Sequence, residues 1–179
     1  MMIEVNVRNI LFYAKADMPG YTLFLQAVGD ESKSLPIVVG QYEAQSIALA
    51  LEQIKLNRPM THDLLGTVIQ ELTYGLEQVT ISDLEEGTYY ARLHIRTDEK
   101  VEQIDARPSD AIALGVRVDA PLFVAPQVME EASIVPETGI EDIDLGETDT
   151  TPVSEEEQQS LSAFADFINE LDLDDLGKN

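Results

Sequence analysis

The segment Asp105-Ala106-Arg107-Pro108-Ser109-Asp110 places two carboxylates, a guanidinium and a hydroxyl within six residues. It follows the apolar run VEQI and precedes AIALG, so it reads as a strand passing into a helix. Local structure asks for part of this set. Ser109 is expected as the N-cap, and Asp110 falls in the first turn, where the helix dipole favours negative charge. Pro108 fixes the entry and biases Arg107 toward an extended conformation. Asp105 and Arg107, two apart on an extended segment, are then expected to point to one side and to pair.

Other acids stand at similar junctions: Glu43 just after LPIVVG, and His62 with Asp63 at the start of HDLLGTVIQEL. If the three junctions converge, Glu43, Asp63, Asp105 and Asp110 form an oxygen-rich cluster suited to Mg²⁺ or Mn²⁺. Such an ion activates water and bridges phosphate oxygens, with His62 as proton shuttle and Arg107 steadying developing negative charge. The catalytic candidates are therefore His62, Asp63, Asp105, Arg107 and Asp110. The same residues also admit a purely structural reading, an ion pair plus a helix cap, and no EF-hand or HExxH spacing decides between the two. Glycine-rich phosphate loops, a GxSxG elbow and a dinucleotide fingerprint are absent. Arg92, His94 and Arg96 share a face of YYARLHIRT and are expected to be solvated, while Tyr89, Tyr90 and Phe123 read as core or sheet-face aromatics.

The elements that must position these groups follow from periodicity. Alternation in IEVNVRNILFYA and the β-rich run YTLFLQAV, punctuated by Met18-Pro19-Gly20, predict a hairpin. LPIVVG is a further strand, and EAQSIALALEQI carries helical spacing at Ile47, Leu51 and Ile54. Arg58-Pro59 breaks that pattern, after which Thr61 is expected to cap a second helix. LEQVTISDL, GTYYARLHIRT and KVEQIDA predict an antiparallel meander, followed by the helix near Ser109, a short strand LFVA and a short helix PQVMEEA opened by Pro126. SIALALE and AIALGVR repeat an Ile-Ala-Leu core, and small residues at Ala48, Ala50, Ala113 and Gly115 allow close helix contacts. The fold class is α+β, a mixed and largely antiparallel sheet with helices packed on it.

Composition narrows the partners. Of 34 acids and 11 bases, residues 1–132 hold 20 and 10, and residues 133–179 hold 14 and one. No Lys/Arg cluster occurs, which argues against tight duplex binding. Cysteine is absent, excluding disulfides and thiolate chemistry. No long apolar run or leader pattern is present, so a cytoplasmic protein without membrane contact is expected. Residues 1–132 read as the compact domain and 133–153 as an acidic flexible linker. Residues 154–179 read as an acidic amphipathic helix, with Leu161, Phe164, Phe167, Ile168 and Leu171 on one face. That helix is expected to dock on its own core, on another subunit or on another protein, and a homo-oligomer with closed symmetry is expected.

The stretches LPIVVGQYEAQSIALALEQ, RPMTHDLL, DLEEGTYYARL and above all IDARPSDAIALGVRVDAPLFV resemble the bifunctional nuclease domain family over roughly residues 3–132. The resemblance implies an α+β fold and nuclease activity on RNA and DNA. The matched polar positions are Glu43 and Gln45, Thr61, His62 and Asp63, and Asp105, Arg107, Ser109 and Asp110. Two function classes follow: a metal-assisted nuclease acting on single-stranded RNA or DNA, or a non-enzymatic oligomeric binding or regulatory module whose acidic tail helix contacts a partner.

Overall fold

The computed structural model describes residues 1–13 and 20–135, and the expected linker and tail helix lie outside them. Strand β1 (Ile3–Tyr13) pairs antiparallel with β2 (Gly20–Ala27), which pairs antiparallel with β3 (Asp30–Val39). Helices α1 (Gln41–Leu51) and α2 (Thr61–Leu72) come next. The predicted meander forms as β4 (Leu76–Glu85), β5 (Thr88–Arg96) and β6 (Val101–Ala106). Then follow α3 (Pro108–Gly115), β7 (Leu122–Val124) and α4 (Pro126–Ala132). Beyond α4, Ile134 pairs with Ser34.

All seven strands form one sheet, ordered β3-β2-β1-β7-β4-β5-β6. Only β7 and β4 run parallel, so the sheet is mixed and mostly antiparallel, as the pattern predicts. β7 also pairs with β1, joining the two three-stranded halves. In a flat sheet β3 and β5 would be five spacings apart, about 24 Å. Yet the Tyr89 hydroxyl on β5 donates to Pro36 O on β3 at 3.1 Å, so the sheet is rolled. Its concave side carries Leu23, Leu25, Ile37, Val79, Ile81 and Leu93, all buried.

The roll encloses α3, whose Ala111, Ile112, Ala113 and Leu114 have no exposed surface. The small residues permit this closeness: a Cβ on Gly115 would come within 2.9 Å of Leu122 Cδ2 and 3.0 Å of Val79 Cγ2. α1 and α2 pack against α3. In α1 the expected stripe is only partly used, since Ile47 is buried while Leu51 and the following Ile54 are exposed. The stripe predicted from spacing therefore runs past the surface that α3 offers. Among the described residues, no helix is long and apolar enough to cross a membrane.

Candidate active site at three helix starts

The three junctions converge. Glu43 lies in the first turn of α1, His62 and Asp63 in the first turn of α2, and Arg107 and Asp110 at the start of α3. Tyr42, Glu43, Ser46, Met60, Thr61, His62, Arg107 and Asp110 surround an open pocket of about 270 Å³. The first turns of three helices, and with them the positive ends of their dipoles, therefore border one small volume, a setting that favours an anion.

Two of the caps differ from the sequence expectation. α3 starts at Pro108, with Arg107 in the extended N-cap conformation and Ser109 already inside and buried. Proline at N1 loses no hydrogen bond, because that N–H has no helical partner anyway. In α2 the N-cap is Met60 instead of Thr61, and its N–H is taken by Asp63 Oδ2 at 2.7 Å.

Arg107 is the cation of the pocket. Its Nε donates to Asp110 Oδ2 at 2.8 Å, and its Nη2 reaches Asp110 Oδ1 at 3.2 Å and Glu43 Oε1 at 3.1 Å. One nitrogen thus bridges two carboxylates, which lie at most two hydrogen-bond lengths apart. Glu43 folds back over Gly40, where any Cβ would collide with its carboxylate. The Arg107 side chain is 67% exposed, so a ligand can reach it. Asp110 holds the guanidinium proton on more firmly than usual, with Glu43 adding to this. Burial pushes the Asp110 carboxyl up, but the hydrogen bonds from Arg107 and His62 outweigh it and hold the group below its ordinary range.

Behind this pair lies a second guanidinium that the sequence did not mark. Arg117, just past α3, is 9% exposed. Its Nε donates to Asp63 Oδ1 at 2.7 Å, Nη1 to Ala113 O at 2.7 Å, and Nη2 to Ser46 O at 2.9 Å and Ser46 Oγ at 3.0 Å. Burial pushes the Asp63 carboxyl up, yet the Met60 N–H and Arg117 together hold it low. Asp63 is thus a cap and a counter-ion.

The Asp110 contact also assigns a proton. An ionised carboxylate only accepts, so in its neutral form His62 carries its proton on Nε2, which donates to Asp110 Oδ1 at 3.2 Å. Nδ1 then accepts the O–H of Ser46, 3.0 Å away, while Ser46 Oγ accepts from Arg117 Nη2. Such an imidazole is a donor in the pocket with no free lone pair, which differs from the proton shuttle expected of it. The order Ser46–His62–Asp110 superficially resembles a nucleophile triad, but Ser46 is buried within a helix and its oxygen is already bonded to Arg117.

The expected four-carboxylate centre does not assemble. Asp105 is exposed on β6 opposite Arg92, lines none of these walls, and forms no ion pair with Arg107. The strand geometry that puts Asp105 and Arg107 on one side ends at Ala106, and Arg107 finds two nearer carboxylates. Among the described residues no group of three or more His, Asp or Glu side chains is disposed to share a metal ion. His94 also departs from its expected solvated state: it is half-buried, with Nε2 3.1 Å from the hydroxyl of buried Thr80, and burial lowers its pKa. Ser46 and Arg117 were missed because each reads as an ordinary helix residue. The available signal was a serine at an otherwise apolar helix position and an arginine following AIALGV.

The chain matches the family described as Bifunctional nuclease domain over residues 23–137, more than half its length. An uncharacterised protein of Mycobacterium tuberculosis is 37% identical over 169 residues, which cover 94% of this chain and 96% of the relative. Bifunctional nuclease 1 of Oryza sativa is 27% identical over 109 residues, 59% of this chain and 33% of the rice protein. Bifunctional nuclease 2 of Arabidopsis thaliana is 26% identical over 93 residues, 50% of this chain and 28% of that protein.

Proposed function

The chain belongs to the bifunctional nuclease domain family, and from that premise we propose that it hydrolyses phosphodiester bonds of RNA or DNA in the pocket where α1, α2 and α3 begin. One observation carries the reading: an exposed arginine, bridging two carboxylates, stands among three helix N-termini. Arg107 and the helix N–H groups bind the non-bridging phosphate oxygens, where negative charge grows in the transition state. Once Arg107 turns to phosphate, Glu43 is released to take a proton from the attacking water. The water oxygen bonds to phosphorus, the bond to the leaving oxygen breaks, and that oxygen takes a proton from solvent through the open pocket. His62 supplies a fixed Nε2–H to the phosphate or to Asp110, and Ser46 with Arg117 fixes its orientation.

Of the four expected metal ligands, Glu43 and Asp110 share this pocket, and these two would hold Mg²⁺ or Mn²⁺ with Arg107 displaced toward substrate. A bound ion would lower the pKa of its water and add positive charge beside the phosphate. Because Arg107 already offsets the carboxylates, the reading does not depend on the ion.

Short single-stranded RNA and DNA, offered to purified protein with Mg²⁺, Mn²⁺ or a chelator, test the proposal. Wild type should cut, and Arg107→Ala and Glu43→Gln should each lose cutting by about a hundredfold or more. Equal residual rates in all three would mean a contaminating nuclease and sink the proposal. His62→Gln, which keeps an N–H donor, should retain more activity than His62→Ala; equal losses would restore the shuttle role.

An assembly role stands beside this reading because of α2. Its Leu64, Val68 and Leu72, one turn apart, are 57%, 41% and 77% exposed, an apolar stripe without a partner among the described residues. We propose it as a self-association surface, and light scattering should show Leu64→Glu with Leu72→Glu at a smaller mass than wild type.

A further inference from the structure

Beside the pocket, the rolled sheet fails to close. Between the edge of β3 and the start of β5 lies an open seam of about 610 Å³, within the size range of small-ligand sites. It adjoins the pocket, since Glu43 and Arg107 line both. Beyond those two residues its walls are uncharged: Pro36, Val38, Val39, Thr88, Tyr89 and Pro108. Among the described residues its one cation, Arg107, stands at the end shared with the pocket, and the remainder suits a neutral, flat, partly apolar group.

The β3 edge shows what such a group would meet. Backbone groups of alternate residues point to the same side of a strand. Ser34 bonds to Ile134 on the side away from β2, through both its N–H and its C=O. Pro36 O accepts from Tyr89 on that side. By the same alternation Val38 and Gly40 present their N–H groups, and Val38 its C=O, toward the seam. None of these three groups has a partner among the described residues. From Ser34 onward the edge is thus closed at Ser34 and Pro36 and open at Val38–Gly40. A peptide strand needs a longer run of free groups to pair, so the window fits a single planar ring bearing adjacent donor and acceptor atoms. A nucleobase has that edge.

We propose that the seam is a nucleobase subsite: the nucleotide whose phosphate is held by Arg107 lays its base against Pro108 and Tyr89, with its polar edge on Val38 and Gly40. This deepens the nuclease reading and rests on it for the orientation of substrate, but it is measured independently of cleavage. Chemical-shift titration with adenosine monophosphate and with ribose 5-phosphate separates base from phosphate. Both should perturb Arg107, and the monophosphate should bind roughly tenfold tighter or more, as stacked bases do. Thr88→Trp, at an exposed position, fills the seam and should bring the monophosphate down to the affinity of ribose 5-phosphate without changing the latter. Val38→Pro removes one donor on an edge that tolerates proline, and should weaken only the monophosphate. Equal affinities in wild type, or a loss shared by both ligands in Thr88→Trp, would overturn the subsite. If base-dependent binding is found while no oligonucleotide is cut, the nuclease reading fails and the subsite stands.

Discussion

Two arginines ten residues apart meet carboxylates at either end of α3, and their surroundings give them opposite work. Arg107 is largely exposed, shares two carboxylates through one edge, and leaves Nη1 without a bond among the described residues. Arg117 is enclosed, and all three of its nitrogens are bonded within the fold. A surface ion pair gains little from its own attraction, because water screens it and holding two side chains costs entropy. Opening it is therefore cheap, which suits a group that must exchange a carboxylate for a phosphate. An enclosed guanidinium cannot be exchanged so, since losing one partner strands a desolvated charge. The residue type is the same; burial decides whether it is a tool or a rivet.

The contrast can be broken in several ways. Arg107→Ala should lower kcat/KM on oligonucleotides by about 10²–10³-fold while shifting Tm very little; a collapse in Tm would make Arg107 structural. Arg117→Ala should do the reverse, destabilising by about 3 kcal/mol in urea unfolding because Asp63, Ser46 and Ala113 O lose their donor. Activity per folded molecule that fell as far as in Arg107→Ala would erase the distinction. Ser46→Ala joins the two regions and should cost roughly tenfold in kcat with KM held, as loss of a group orienting an imidazole does. Abolished turnover would instead make Ser46 a nucleophile.

Smaller effects concern protons. Asp63 and Asp110 are held below their ordinary value of 3.8, so their stabilisation is present above that pH and lost as pH falls through the lowered value. Asp110→Asn should flatten part of the fall in urea midpoint below about pH 4. His94 is also lowered, from 6.5, by burial. For a histidine the sign is that protonation opposes the fold, so stability is complete above 6.5 and declines as pH drops below it. His94→Gln should therefore show a flatter Tm between pH 7 and 5 than wild type. Least of all, Asp105→Asn should change stability by no more than about 0.5 kcal/mol and leave cutting within twofold. A larger loss would return Asp105 to the site.

The elements were legible because each advertises its own period. Alternation in YTLFLQAV and YYARLHIRT, and the punctuation at Pro108 and Pro126, are local properties that tertiary structure did not overrule. Polar residues crowded where strands become helices marked the three junctions, but that they meet was an assumption; Glu43, His62, Arg107 and Asp110 share one pocket, and Asp63 and Asp105 do not line it. Partner choice was not legible. Whether Arg107 takes Asp105, two residues back, or Glu43, far away in sequence, depends on where α1 lies over α3. No single segment encodes that. Arg117 and Ser46 were hidden for the same reason, since their bonds to each other span 71 positions. The rolling of the sheet, and with it the seam, comes from accumulated strand twist, which no side-chain pattern spells out.

The three residues of β7 have a consequence for how the chain is made. Within the sheet, Leu122–Val124 form the strand that links the β1–β3 hairpins to the β4–β6 meander. During synthesis both groups of strands are complete before β7 emerges, and β1 and β4 each wait with a bare edge. Unprotected edges are templates for pairing with other copies. A nascent polypeptide halted before residue 122 should therefore clump, whereas one released after Ile134 has both edges sealed.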